Sequence, residues 1–186
     1  MMSLEQLASD MQQCTRCGLA EGRNKLVFGV GNPQAKLMMI GEGPGKDEDE
    51  QGIPFVGRAG QLLDRILAAI YLTREDVYIA NIVKCRPPNN RVPSRTEAVA
   101  CLPYLYRQIE LVNPGIIVLL GSTALQNLIS SEARITKMRG QWLESRSGIK
   151  IMPTYHPAAV LRDPTKRRPV WEDFQMIQEE YQRLLP

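Results

Sequence analysis

The sequence predicts an α/β fold in three layers, with a central four-stranded parallel sheet and helices on both of its faces. Short runs that are apolar on both sides, typical of strands buried in a parallel sheet, alternate with amphipathic stretches of helical length. The first three apolar runs end at Gly41, Asn81 and Gly121, where chain direction would change. With 186 residues the chain is too short for two ordinary domains, so we expect a single domain over residues 1–186.

Each element follows from local periodicity and from the residues at its ends. A first helix is expected over residues 3–12, with Ser3 as its N-cap. Strands are expected over residues 37–40, 77–80 and 116–120, and the helices that alternate with them over residues 59–71, 95–112 and 122–131. A pair of strands over residues 142–145 and 149–153 and an amphipathic helix over residues 171–185 complete the predicted fold.

Composition argues against a membrane protein and does not identify a binding partner. The chain is 44% hydrophobic and 23% charged, and its 23 basic and 20 acidic residues give a net charge of only +3. No apolar run approaches the roughly 20 residues that span a bilayer, and the first eleven residues lack the apolar centre of a signal peptide. We therefore expect a soluble, cytoplasmic protein. Residues 84–95 and 162–168 are locally basic, and we interpret them as loops that either contact phosphates or simply face water.

The four cysteines indicate a metal site. Cys14 and Cys17 form a C-x-x-C pair after the first helix, whereas Cys85 and Cys101 are dispersed further along the chain. Disulfides are unfavoured in a cytoplasmic protein, and structural zinc sites usually use two close pairs. One close pair and two dispersed cysteines suit an iron–sulfur cluster better, because its irons stand further apart than ligands around a single ion. Zinc and unrelated buried thiols remain alternatives at this point.

Polar residues after the predicted strands indicate where a ligand would bind. In open α/β sheets, ligands bind beyond the carboxyl ends of the strands. The loop from Gly41 to Gly45, Asn81 and His156, the only histidine, lie at such ends, and Phe55 lies in a nearby loop. The glycines allow close approach of backbone N–H groups, and the amide of Asn81 can both donate and accept. Taken singly, these features also fit a tight turn, a solvated histidine and a core phenylalanine.

Taken together, these motifs resemble family 4 of the uracil-DNA glycosylase superfamily, the type that contains an iron–sulfur cluster. The resemblance covers nearly the whole chain and is highly specific. It rests on the cysteine layout and on the segments GEGPG (41–45), PFVGRAGQLL (54–63), NIVKCRPP (81–88) and HPA (156–158).

The resemblance implies an activity, a cofactor and a role for each site residue. The activity is removal of uracil from DNA by hydrolysis of its N-glycosidic bond in base excision repair, and the cofactor is a structural [4Fe–4S] cluster held by Cys14, Cys17, Cys85 and Cys101. The implied uracil-binding residues are Gly41, Glu42, Gly43, Phe55, Asn81 and His156. The implied catalytic residues are Glu42, His156, Glu48 and Asn90, with either glutamate as the one that orients the attacking water.

The implied partner is uracil-containing DNA, single- or double-stranded, bound by a monomer. Arg86, Arg91 and Arg162 would contact phosphates, and Leu161 would fill the space that the flipped nucleotide vacates. Two alternatives belong to other classes. A non-catalytic iron–sulfur DNA-binding module on the same fold would bind DNA and release no base. A flavodoxin-like enzyme that binds nucleotides through residues 41–45 would leave the four cysteines unexplained.

Overall fold

A single mixed sheet forms the centre of the computed structural model, which describes residues 2–185. Its strands are β1 (Val30–Gly31), β2 (Leu37–Gly41), β3 (Val77–Asn81), β4 (Ile116–Leu120), β5 (Leu143–Glu144) and β6 (Lys150–Thr154). They lie in the order β1-β3-β2-β4-β6-β5. The four inner strands are parallel, which confirms the predicted four-stranded parallel sheet as the centre of the fold. The sequence analysis missed β1, which adds antiparallel to one edge, whereas the predicted late strand pair is β5 and β6, with β5 antiparallel at the other edge.

The helices connect these strands. They are α1 (Leu4–Met11), α2 (Leu19–Gly22), α3 (Lys46–Gln51), α4 (Arg58–Ala69), α5 (Arg95–Val112), α6 (Ser122–Leu128), α7 (Ile135–Met138), α8 (Pro157–Arg162) and α9 (Arg167–Arg183), with 3₁₀ turns at Pro88–Asn90 and Pro164–Lys166. Helix α5 has the predicted bounds, and Ser3 caps α1 as expected. No helix described in residues 2–185 combines the length and the apolar character needed to cross a membrane.

One sequence-based prediction about a loop was wrong. The basic segment 162–168 is not a loop, because it comprises the end of α8, a 3₁₀ turn and the start of α9. Helix α9 therefore starts before Pro169, which is tolerated in the first turn because the N–H that proline lacks has no partner there. The sequence analysis assigned no element to the acidic run after Gly45, which forms helix α3. The first turn of α3 carries three carboxylates, at the end of a helix that favours negative charge.

The sheet is covered on both faces, as three layers require. Along β2, Met38 and Ile40 belong to one core cluster, which includes Leu105 of α5. Leu37 and Met39 point the other way, into a second cluster with residues of α4 and α9 such as Leu63 and Phe174. Because successive side chains of a strand point to opposite faces, this separation shows that helices pack on both sides.

The carboxyl ends of the parallel strands bring the polar residues together. Gly41 at the end of β2 is the register partner of Asn81 at the end of β3. At the end of β6, the hydroxyl of Thr154 donates a hydrogen bond to the buried carboxylate of Asp173 (2.6 Å), which also forms an ion pair with Arg139. This network fixes the strand two residues before His156.

Candidate functional site

The amide of Asn81 forms the centre of the site. Asn81 is only 2% exposed, and its Oδ1 atom has no hydrogen-bond partner among the described residues. A buried acceptor without a partner costs free energy in the protein alone, so it is expected where a ligand supplies the donor. A Cβ atom on the neighbouring Gly41 would lie 2.6 Å from this same Oδ1. Only glycine at position 41 leaves the amide accessible.

The ring of Phe55 forms an aromatic wall beside that amide. A Cβ atom on Gly41 would also lie 2.6 Å from Cζ of Phe55, so the ring lies directly against the Gly41 backbone. The ring also stacks on the imidazole of His156, with centroids 5.5 Å apart and an angle of 27° between the planes. Three segments that are distant in sequence thus meet at one point: Phe55, Asn81 and His156.

His156 presents a neutral imidazole with its proton on Nε2. It is the N-cap of α8, and its Nδ1 accepts a hydrogen bond from the backbone N–H of Ala158 (3.0 Å). Partial burial lowers the pKa of His156 to about 4, with a smaller contribution from the positive charge of Arg162. Because Nδ1 is an acceptor in the neutral ring, Nε2 carries the proton and is free to donate to a ligand.

Stability should therefore fall in acid through His156. The folded pKa of about 4 lies below the ordinary value of 6.5, so between these pH values the unfolded chain binds a proton that the folded protein does not. The stabilisation is complete above pH 6.5 and is lost as the pH falls towards 4, with a size of about 3 kcal/mol. We expect the free energy of unfolding to fall more steeply over this range in the wild type than in His156→Asn, as measured by urea titration. Equal slopes in the two proteins would contradict the expectation.

Glu42, the residue after Gly41, is held by a residue that the sequence analysis missed. The hydroxyl of Thr123, near the start of α6, donates a hydrogen bond to Oε2 of Glu42. Thr123 is buried and follows the end of β4 by three residues, so the rule of strand ends could have identified it. This contact orients the Glu42 carboxylate at the carboxyl edge of the sheet.

Glu48 and Asn90, expected as catalytic residues, make contacts of other kinds. The carboxylate of Glu48 accepts hydrogen bonds from three backbone N–H groups, those of Gly45 (3.2 Å), Val56 (3.0 Å) and Gly57 (2.9 Å). Asn90 is exposed, and its Oδ1 accepts a hydrogen bond from Nε of Arg86 (2.7 Å). Glu48 therefore holds the loop that carries Phe55, whereas Asn90 lies on the surface of the basic loop after β3.

The basic residues differ in how available their charges are. Arg91 forms a double hydrogen bond with the carboxylate of Glu97, which holds the pKa of Glu97 down to about 2. Leu161 and Arg162 are exposed on α8, and Arg86 is partly exposed. The sequence analysis places Lys84 in a basic loop that contacts phosphates or faces water, and for Lys84 both alternatives are wrong, because its side chain is completely buried. Its Nζ donates a hydrogen bond to the backbone carbonyl of Asn81 (2.8 Å).

The four cysteines line one pocket, together with Lys84. Cys85 and Cys101 are buried, and Cys14 and Cys17 are partly exposed. Within residues 2–185, no three His, Cys, Asp or Glu side chains are grouped so as to hold a single metal ion. The pocket lining also contains Arg16, Arg23 and Lys84, and none of its described residues carries a carboxylate.

The charges around the pocket fit an anionic group. Arg23 donates a hydrogen bond to Sγ of Cys85 (3.3 Å), and burial lowers the pKa of Lys84 to about 8. Burial also raises the pKa of the Cys85 and Cys101 thiols. Lys84 is the buried cation of this pocket, and a buried cation requires a counter-charge that neutral thiols do not supply. Four thiolates around a [4Fe–4S] core would supply it, because the thiolate charges exceed the positive charge of the core.

Comparison with known proteins identifies a family and several similar enzymes. Residues 28–175 match the family model described as the uracil DNA glycosylase superfamily. The chain is similar to the type-4 uracil-DNA glycosylase of Thermotoga maritima, with 45% identity over 92% of this chain and 91% of that protein. It is 45% identical to the type-4 uracil-DNA glycosylase of Archaeoglobus fulgidus, over 96% of this chain and 94% of the relative. The corresponding enzyme of Sulfurisphaera tokodaii is 44% identical, over 96% of this chain and 85% of the relative.

Proposed function

Because this chain belongs to the uracil DNA glycosylase superfamily, we propose that it excises uracil from DNA as the first step of base excision repair. The observation that carries the proposal is the buried Oδ1 atom of Asn81, without a partner among the described residues, beside the stacked pair Phe55 and His156. We propose that the protein folds as one domain, acts as a monomer, and accepts uracil in single- or double-stranded DNA.

Recognition of uracil would rest on Asn81. Uracil offers a donor at N3 and an acceptor at O4, and the amide of Asn81 offers the complementary acceptor and donor. Cytosine reverses this pattern, so its binding would leave buried polar groups unpaired, and such sites reject analogues strongly. Thymine differs from uracil by a methyl group at C5, and the Glu42 side chain is our candidate for the wall that excludes it.

Access to the base requires nucleotide flipping. Uracil in a duplex is unreachable in the stack, and extruding it costs a few kcal/mol. Stacking on Phe55, against the backbone of Gly41 and Gly43, would return about 1–3 kcal/mol. Leu161 is 37% exposed on α8 and is our candidate for the side chain that fills the vacated space. Arg86, Arg91 and Arg162 would contact the phosphates.

Cleavage of the glycosidic bond leaves negative charge on uracil and positive charge on the sugar. His156 would donate a hydrogen bond from Nε2 to O2 of the departing base. Because the imidazole is neutral, it would stabilise the negative charge on O2 by this hydrogen bond and would not carry a positive charge itself. Glu42, held by Thr123, would orient the attacking water and stabilise the sugar cation. Asn90 on the basic loop is a second candidate for water orientation. We propose a catalytic role for Glu42 and a supporting role for Glu48, whose carboxylate is occupied by backbone N–H groups.

A [4Fe–4S] cluster held by Cys14, Cys17, Cys85 and Cys101 would complete the protein. The shared pocket of the four cysteines and the three cations around it support this cofactor. When bound, the cluster would act structurally, joining the segment after α1 to the loop after β3 and to helix α5.

Asn81→Ala should slow single-turnover release of uracil by about a hundredfold, because the base loses the amide that is proposed to read its N3–O4 edge. The assay uses an oligonucleotide with one uracil and detects the alkali-labile abasic site. Asn32→Ala is the matched control, since it removes an amide from a turn at the amino end of the sheet, where the N–H of residue 32 bonds to Val77. A wild-type protein that binds the oligonucleotide and releases no base would favour the non-catalytic DNA-binding module instead.

A further inference from the structure

The backbone of Phe55 is held in an unusual conformation. Its φ angle is +55°, in the left-handed region, which a residue with a bulky side chain rarely adopts. Phe55 is nevertheless the residue whose ring stacks on His156 and lies against Gly41. A strained conformation persists only where surrounding contacts over-determine it, so the contacts that hold this residue matter for the site.

Arg74 supplies the main contacts on one side of this loop. Its guanidinium donates hydrogen bonds to the backbone carbonyl of Pro54 (2.8 Å) and to that of Phe55. Its Nε donates to Oδ1 of Asp64 on α4 (2.6 Å), which fixes the direction of the planar group. Arg74 lies in the turn before β3 and is partly buried. One side chain therefore bridges α4 and two consecutive carbonyls of the Phe55 loop.

Glu48 supplies the contacts on the other side. Its Oε1 accepts hydrogen bonds from the N–H groups of Val56 and Gly57. The peptide group between Phe55 and Val56 is thus held at both of its polar atoms, its oxygen by Arg74 and its N–H by Glu48. Because the orientation of this peptide sets the ψ angle of Phe55, the two side chains fix the residue where the ring projects from the loop. A Cβ atom on Gly60 would lie 1.7 Å from the Phe55 carbonyl oxygen, so the backbone of α4 packs directly against this carbonyl.

We propose that Arg74 is a positioning residue for base recognition, which acts by holding Phe55 in its left-handed conformation so that the ring can stack on the flipped base. This inference rests on the proposed function, since the ring needs a base to stack on. In the described part of the chain, the hydrogen bonds of Arg74 go to Asp64 and to the Pro54 and Phe55 carbonyls, and none goes to Asn81 or His156. Its effect should therefore reach the base only through Phe55.

The test separates binding of the base from binding of the DNA backbone. We expect Arg74→Met to weaken binding of free uracil, measured by equilibrium dialysis, about tenfold, which lies within the range for loss of one stacking platform. Its affinity for DNA with an abasic-site analogue, which has no base to stack, should stay within about twofold of wild type. Arg107→Met is the matched control, because it removes an arginine from an exposed ion pair with Glu110 on α5 and should change neither affinity.

A double-mutant cycle decides whether Arg74 acts through Phe55. In a Phe55→Ala background, Arg74→Met should have no further effect on uracil binding, because the ring is already absent. Arg74→Lys keeps the charge but cannot reach both carbonyls with a planar group, so an intermediate loss is expected, and it serves if Arg74→Met fails to fold. Additive effects, unchanged uracil binding, or equal loss of both affinities would overturn the inference. Wild-type protein that neither binds nor releases uracil would instead overturn the proposed function.

Discussion

His156→Asn is expected to lower the single-turnover rate of uracil release by roughly 100- to 1000-fold, with little loss of stability. The neutral imidazole donates from Nε2 in our proposal, at the atom where negative charge develops as the base departs. A donor already aimed at this charge needs no reorganisation during the reaction, and removal of such donors has an effect of this size. We expect the effect in the chemical step and little change in affinity for abasic DNA.

Asparagine is the informative replacement because His156 has two roles. Its Nδ1 caps helix α8 through the N–H of Ala158, and loss of a cap costs about 1 kcal/mol. Asparagine is a favoured N-cap residue, so it keeps the cap, but its shorter side chain cannot reach the position of Nε2. His156→Ala loses both roles and should be equally slow and less stable. A His156→Asn enzyme within about fivefold of the wild-type rate would show that the imidazole is not the donor to the leaving base.

The positions of the central site residues were predictable because they depend on topology. Parallel strands end at one edge of a sheet, so identifying the strands places Gly41, Asn81 and His156 at the same edge. The sequence analysis did not predict α8, although Pro157, a favoured first residue of a helix, could have indicated that a helix starts after His156. The pairing of Glu42 with Thr123 has the same cause, because Glu42 follows the end of β2 and Thr123 follows the end of the neighbouring strand β4.

Contacts between side chains and distant backbone could not be predicted from local pattern. Arg74 lies 19 residues from Phe55 in sequence, and nothing in the turn before β3 indicates that its guanidinium reaches two carbonyls. Lys84 shows the opposite error, since a lysine in a basic run was expected on the surface and is fully buried. Lys84 is buried because it contacts the Asn81 carbonyl and the cysteine pocket, and only folding brings these groups together.

Removal of a cysteine ligand should have the largest effect on stability. We expect Cys101→Ala to lose the brown colour of an iron–sulfur protein and its content of about four irons per chain. Its unfolding midpoint should fall by about 10–20 °C, the change that a loss of roughly 5 kcal/mol produces in a domain of this size. The control is Val99→Ala on the same helix, because Val99 is 55% exposed and makes no contribution to the pocket lining.

The same change should reach the base pocket through Lys84. Without the cluster, the ammonium of Lys84 and the guanidinium of Arg23 lose the negative charge that the four thiolates would supply. Lys84 would then leave the interior and release the Asn81 carbonyl, so uracil release should fall together with stability. Cys101→Ala protein that remains as stable and as active as wild type, with no iron or zinc in either, would show that the cysteines are separate buried thiols. Stoichiometric zinc in the wild type would show that the four cysteines bind a single zinc ion and not an iron–sulfur cluster.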